Sequence, residues 1–291
     1  MDDAKLQFVM ANVVCPACAG RLERGARELR CPCGRRYPVS GGVPVFLDDP
    51  SSYRDERANP NTTNPYSPKS LRLIRENPHA AILDFGAGNP RAEELFPHVV
   101  RLDFVHYAAT DVVCNTSNLP LADECFDFVV SESVFEHVAD PWHYARELYR
   151  VLKPGGTIAV DTAFLQPVHG DPFHFFGMTL QGLQKTFEMF EIQDAGVESY
   201  QSCGTTMNIL SRQFVELIED EAQREAARQR LLGTDFAQFD RFIPKEKQPI
   251  LAAGVYLVGR KANRFSGRGE AMRGLADRIR TRLWGSKRHG A

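Results

Sequence analysis

No apolar run in the 291-residue chain approaches the roughly 18 residues that a membrane-spanning helix needs. The opening Met1-Asp2-Asp3 lacks the basic and apolar regions of a signal peptide, so a cytoplasmic protein is expected. There is no internal repeat. No charge excess dominates the whole, since the net charge is -2, but the distribution is uneven. From Arg260 onward ten Lys/Arg face two Asp/Glu, which leaves 25 against 35 in the body. An acidic body is a poor non-specific binder of nucleic acid, and no specific nucleic-acid partner is expected. Paired cysteines are missing too. The seven cysteines are an odd number, and four of them crowd into Cys15–Cys33, a grouping that speaks for metal rather than disulfides.

Composition and length fit one full α/β domain plus a smaller module. Residues 1–48 are Cys-rich and turn-rich, and residues 49–70 are polar and proline-rich, a linker or flap. From 71 to 261 short apolar runs alternate with helical stretches, the pattern of a parallel sheet with crossover helices. The expected strands are Ala81–Phe85, Val99–Asp103, Ala109–Val113, Phe126–Val130, Thr157–Asp161, Glu191–Val197 and Leu251–Val258. Asp140-Pro141-Trp142 opens a helix with an N-cap and a first-position proline. Residues 205–249 break the alternation and read as a helical insertion covering the substrate side.

Cys15-x-x-Cys18, twelve residues, then Cys31-x-Cys33 supplies four thiolates, the number zinc takes in a tetrahedral structural site. The alternative is four unliganded thiols, but a domain this small has too little core to fold easily without a staple. The strand Ile82-Leu83-Asp84-Phe85 runs into Gly86-Ala87-Gly88, where glycines let the backbone approach a ligand at the carboxyl end of a strand. Arg91 stands where a dinucleotide fold would place its third glycine, which disfavours NAD. Asp103 closes the next strand, where a carboxylate can accept both hydroxyls of a ribose.

Two resemblances attach to these residues. Val14-Cys-Pro-Ala-Cys-Ala-Gly-Arg-Leu, Cys31-Pro-Cys-Gly-Arg-Arg-Tyr-Pro-Val and Gly42-Val-Pro-Val-Phe-Leu resemble the small zinc-binding domain of the tRNA-methyltransferase activator family. The ordered set from Asp84-Phe-Gly-Ala-Gly through Asp103, Asn115-Thr116, Phe126-Asp-Phe-Val-Val-Ser131, Phe135-Glu-His137 and Arg150-Val-Leu-Lys-Pro-Gly-Gly156 resembles class I S-adenosylmethionine-dependent methyltransferases. That resemblance implies a seven-stranded, mostly parallel Rossmann-like sheet with flanking helices. It implies that Phe85, Gly86, Ala87 and Gly88 pack against the methionine part of S-adenosylmethionine, with Asp84 toward its ammonium. Asp103 would hold the ribose, Asn115 and Thr116 would meet the adenine, and Ser131 would lie beside the methyl donor.

After the fifth strand comes a loop with His169, Asp171, His174, Phe175 and Phe176, similar to loops of methyltransferases of polysaccharide and secondary-metabolite pathways. An alcohol acceptor needs a general base, and His169, then His174, then His137 are the candidates. Each could instead be a histidine hydrogen-bonded in a turn. A metal held by His169, Asp171 and His174 is disfavoured. The expected function is O-methylation of a small molecule or sugar-containing metabolite. The rivals are RNA or protein methylation and a catalytically silent scaffold. In the basic tail, 262–291, the apolar spacing of Met272, Leu275, Ile279 and Leu283 suits a helix that lies on an anionic membrane through residues 268–284 or docks on the acidic body.

Overall fold

In the computed structural model the described residues are 3–61, 65–170 and 173–263. The expected membrane-contacting helix at 268–284 and Asp171 lie outside them. Residues up to Lys261 form one compact unit. Among the described residues no helix is long and apolar enough to cross a membrane.

The chain opens with α1 (Asp3–Asn12) and the short strands β1 (Glu23–Arg24), β2 (Glu28–Arg30), β3 (Arg36–Ser40) and β4 (Val43–Phe46). Between β3 and β4 the two linking residues, Gly41 and Gly42, have φ of 58° and 86°. Positive φ at both positions defines the two-residue turn that matches strand twist, and glycine meets it without strain. Next come β5 (Arg54–Asp55), α2 (Pro68–Glu76), β6 (Ile82–Phe85), β7 (Val99–Asp103), β8 (Val105–His106) and β9 (Val112–Cys114). The remainder is β10 (Phe126–Glu132), α3 (Pro141–Val151), β11 (Leu152–Ala163), α4 (Leu180–Thr186), β12 (Glu191–Gly196), α5 (Cys203–Glu216), α6 (Glu221–Leu231) and β13 (Gly254–Arg260).

The central order is β9-β7-β6-β10-β11-β13-β12, with β13 antiparallel to both neighbours. After β6 the chain works outward to β7 and β9, then crosses back to place β10 on the other side of β6. That reversal makes the carboxyl ends of β6 and β10 the place where an open α/β sheet binds ligand. The sheet has eleven strands, not the seven expected. The reason lies at β9, whose Val112, Val113 and Cys114 are all buried. An edge so apolar takes a further strand: β4 runs parallel to it, pairing Val45 with Val113 and Phe46 with Cys114. Through β4 the short strands β1 to β3, which flank the cysteine turns, continue the same sheet.

The flanking helices are also fewer than expected. Between β6 and β10 the connections among the strands hold, among the described residues, a 3₁₀ turn, Ala92–Glu94, and the short β8, but no α-helix. The connections from β7 to β9 and from β9 to β10 are too short for a full crossover helix. Cover comes instead from the N-terminus, where Val9 of α1 and Val13 beyond it join the main core and the Phe8 ring meets Phe126 edge-on at 5.5 Å. The insertion after β12 consists of α5, α6 and 3₁₀ turns at Phe236–Phe242 and Lys245–Ile250. It leaves at Gly196 and returns at Gly254, level with the carboxyl end of β11.

Candidate active site at the sheet switch point

The four residues of β6 are all buried, and the turn that follows is held from two sides. The amides of Gly86 and Ala87 donate to the carbonyl of Leu102 at 2.8 and 3.2 Å. Gly86 has φ 77°, and a Cβ there would stand 2.3 Å from Cγ2 of Val134. No other residue fits that position. The Asp103 carboxylate accepts from the Gly88 amide at 2.7 Å and from the Val105 amide at 2.8 Å. Burial pushes Asp103 above the usual carboxylate range, while these amides pull against that shift. An ionised carboxylate has about four lone-pair positions, so two remain for ribose hydroxyls.

Asp84, Glu132 and Asp161 end three adjacent strands with their side chains on one face, in register through Val130 opposite Asp84 and Glu132 opposite Asp161. Each receives a donor from a different segment. Tyr66 OH donates to Asp84, the Ser67 amide to Glu132 at 2.9 Å, and Tyr200 OH to Asp161 at 2.7 Å. Burial raises all three, Asp84 to about 7 against the pull of Tyr66 and Arg101, and Asp161 to about 8 with the charge of Glu132 adding to it. Oε1 of Glu132 and Oγ of Ser131 are buried without a hydrogen-bond partner. Two orphaned polar atoms at the carboxyl end of β10 suit a polar ligand, a cationic one at the carboxylate. Sequence reasoning missed Tyr66, Glu132, Asp161 and Tyr200. Only the aromatic in the proline-rich segment 49–70 offered a signal, and its partner was unreadable.

The three histidines come together as rings 5.1 Å (His137–His169), 5.7 Å (His137–His174) and 4.4 Å (His169–His174) apart. His174 has both nitrogens engaged, Nδ1 accepting from the His169 amide at 3.2 Å and Nε2 donating to the Phe176 carbonyl at 3.2 Å. Burial, and then the neighbouring His169, lower its pKa. Among the described residues, His137 and His169 use only Nδ1, donating to the carbonyls of Phe173 at 2.7 Å and Pro167 at 2.8 Å. A cleft of about 660 Å³ lies nearby at the same sheet end, lined by Phe164, Thr179 and Val197 with Lys245, Glu246 and Ile250 of the insertion.

Residues 83–160 match the methyltransferase domain family. The matched segment runs from β6 into β11 and contains the glycine turn, Asp103, Ser131 and His137. An uncharacterized methyltransferase of Mycolicibacterium vanbaalenii is 38% identical over 85 residues, covering 28% of this chain and 32% of the relative. One from Mycobacterium leprae is 42% identical over 62 residues, covering 21% of this chain and 22% of the relative. The chain thus spans about a third or less of these relatives' length. Among solved structures, phosphoethanolamine N-methyltransferase 2 of Haemonchus contortus with S-adenosyl-L-methionine is 15% identical at a TM-score of 0.40, covering 70% of this chain and 55% of that one.

At the β9 strand of the central sheet, Asn115 is engaged at both ends of its amide. Its Oδ1 accepts from the Asp48 amide at 3.0 Å and its Nδ2 donates to Ser52 Oγ at 2.8 Å. The side chain named for the adenine therefore anchors the chain leaving β4. Thr116 is buried, with Oγ1 donating to the Asn118 carbonyl at 2.7 Å. Phe85 is packed into the core with its ring 5.4 Å from Tyr144.

The four cysteines of the N-terminal module converge, all Sγ atoms lying within 4.8 Å of one another. Cys18 and Cys31 are 3.4 Å apart, Cys15 and Cys33 3.8 Å. Sulfurs about 2.3 Å from a tetrahedral zinc stand roughly 3.8 Å apart, so the donor set fits the ion. Burial alone would raise the Cys15 thiol, but the Tyr37 hydroxyl at 3.1 Å and nearby amides outweigh it and bring it to about 6. The same crowding raises Cys18 and Cys31, as thiols packed together without a cation resist ionising jointly.

Proposed function

We propose that this protein is an S-adenosylmethionine-dependent methyltransferase that methylates an oxygen of a small-molecule or sugar-containing acceptor. The observation that carries the reading is the Gly86–Gly88 turn at the switch point, pinned by Asp103 inside the segment that matches the methyltransferase family. Bound there, the cofactor supplies an electrophilic methyl group. The chain's own residues bind, orient and exclude water. Gly86 to Gly88 would seat the methionine part, Asp103 the ribose, and Thr116 with the β9 edge the adenine. Ser131 and Glu132, with their unpartnered oxygens, would face the polar and cationic end of the ligand. The acceptor would enter from the side of His137 and His169, where the latter takes the hydroxyl proton. His174, with both nitrogens engaged, serves to position His169. The cysteine module would hold one structural zinc, as residues 1–48 stabilising the edge of the 71–261 domain, and 205–249 would roof the acceptor side.

The test is calorimetry with S-adenosyl-L-homocysteine. Wild type is expected to bind it, and Asp103→Ala to bind about tenfold or more weakly. Equal affinity in the two proteins removes Asp103 from the site, and preference for NADH overturns the reading.

A further inference from the structure

Beside the sheet edge, one ring nitrogen of His137, one of His169 and one carboxylate oxygen of Glu136 lie within 4.8 Å of one another. We infer that these three residues form a divalent-metal site, distinct from the cysteine cluster, which binds an acceptor oxygen beside the methyl donor; the metal-binding part stands alone, and the acceptor part rests on the methyltransferase reading.

The donor chemistry is specific. Two imidazoles and one carboxylate with open positions suit a mid-row divalent cation that takes nitrogen and oxygen together. Such ions hold donors at about 2.0–2.2 Å, hence roughly 3 Å from each other, so closing on an ion asks for a small inward movement. The surroundings of each donor are those of ligands already oriented. A metal-binding imidazole characteristically gives its other N–H to a carbonyl, which fixes the tautomer and leaves a lone pair for the ion. His137 donates Nδ1–H to Phe173 and His169 donates Nδ1–H to Pro167, so both rings carry their lone pair on Nε2. Glu136, 1% exposed, is fixed by Thr162 Oγ1, which donates to Oε2 at 2.8 Å, and its second oxygen is left available.

The loop that carries His169 is shaped around this cluster. Gly170 has φ 97°, and a Cβ there would stand 2.6 Å from Cε1 of His137. Phe175 and Phe176 donate their amides to the carbonyl of Glu136 itself, at 2.7 and 3.2 Å. His174 accepts the His169 amide at 3.2 Å and so sets where that residue sits. Glu136 and His137 follow β10, three and four residues beyond the positive-φ Ser133, whose amide donates to Asp161 Oδ1 at 3.0 Å. The site thus joins the end of the cofactor strand to the acceptor loop. A cation there would bind the acceptor hydroxyl and lower its pKa, releasing its proton to solvent. The oxygen then attacks: the O–CH₃ bond forms, the S–CH₃ bond breaks, and the electron pair returns to sulfur. With the ion in place His137 and His169 act through it, and the proton that His169 would take in a metal-free site goes to solvent instead.

Manganese distinguishes the two metal sites, because Mn²⁺ prefers oxygen and nitrogen donors and thiolates prefer zinc. Mn²⁺ titrated into full-length protein carrying one equivalent of zinc, which the four thiolates take first, and followed by electron paramagnetic resonance should show saturable uptake of one ion per chain. His169→Ala, on an exposed loop, and Glu136→Gln should each weaken that uptake about tenfold or more. Both variants should bind S-adenosyl-L-homocysteine as wild type does, which shows that they fold. Absence of Mn²⁺ uptake in wild type overturns the inference, and so does unchanged uptake in His169→Ala. Neither result touches the methyltransferase reading, which fails only if S-adenosyl-L-homocysteine itself does not bind.

Discussion

The Tyr66 hydroxyl, from the proline-rich segment ahead of α2, donates to the carboxylate of Asp84 at the end of β6, 3% exposed beneath it. Burial raises Tyr66, and the charge of Asp84 raises it further, so the phenol remains protonated and available as a donor. Tyr66→Phe strips that donor from a buried acid. The expected cost is about 1–3 kcal/mol, larger at pH 8 than at pH 5, because the ionised form of Asp84 needs the donor most. Urea denaturation at the two pH values measures it, and an equal cost at both would mean that Asp84 keeps one protonation state throughout.

Gly86→Ala should abolish binding of S-adenosyl-L-homocysteine. The new methyl would occupy the space of the Val134 side chain, and the backbone would be held at a φ of 77° that alanine disfavours. Removing the steric part with Val134→Ala in the same chain should recover stability while leaving affinity below wild type. Calorimetry beside thermal melting separates the two effects. Full recovery of binding in the double variant would show that the clash alone, and not backbone strain, makes the glycine necessary.

Asp161 titrates near 8 in the folded chain and near 3.9 when unfolded. The folded state holds the proton more tightly, so this group's contribution is fully present below the unfolded value. It is lost as pH rises through the folded one. Asp161→Asn should therefore melt above wild type at pH 9, by on the order of 5 °C, with the gap closing toward pH 4. Asp84 carries the same sign over a lower window. A gap independent of pH would contradict the titration of Asp161.

Removing metal should open the cysteine module before the rest. With a chelator present, protease cleavage is expected first between Cys18 and Arg36, while β4 stays protected by its pairing with β9. Cys15→Ser should show the same cleavage without chelator. Elemental analysis finding no zinc in freshly purified wild type would end the zinc proposal.

The buried central strands were legible because each holds a short apolar run bounded by turn residues, as Ile82–Phe85 before its glycines shows. The glycine turn and Asp103 could be read for the same reason: strand, turn and carboxylate follow one another in the chain. What escaped was set by distant partners. Nothing in Val43-Pro-Val-Phe46 announces that it pairs with Val112–Cys114, because parallel pairing leaves no local mark. The missing crossover helices escaped because α1, far away in sequence, supplies the apolar cover they would have given. Tyr66 and Tyr200 became visible only once Asp84 and Asp161 lay side by side. Asn115 fits an adenine contact by position, yet its neighbours Asp48 and Ser52 claim both ends of its amide.

The β4–β9 pairing has a consequence for the order in which the chain can fold during synthesis. The cysteine hairpins emerge early and can close as soon as metal arrives, yet β4 must wait until β9 has been translated. Until then β4 is an exposed apolar edge, open to strands of neighbouring chains. Early metal capture would shorten the time that the nascent edge spends in a loose, sticky state. Zinc scarcity should therefore show first as aggregated nascent protein in cells, ahead of any fall in the specific activity of the molecules that do fold.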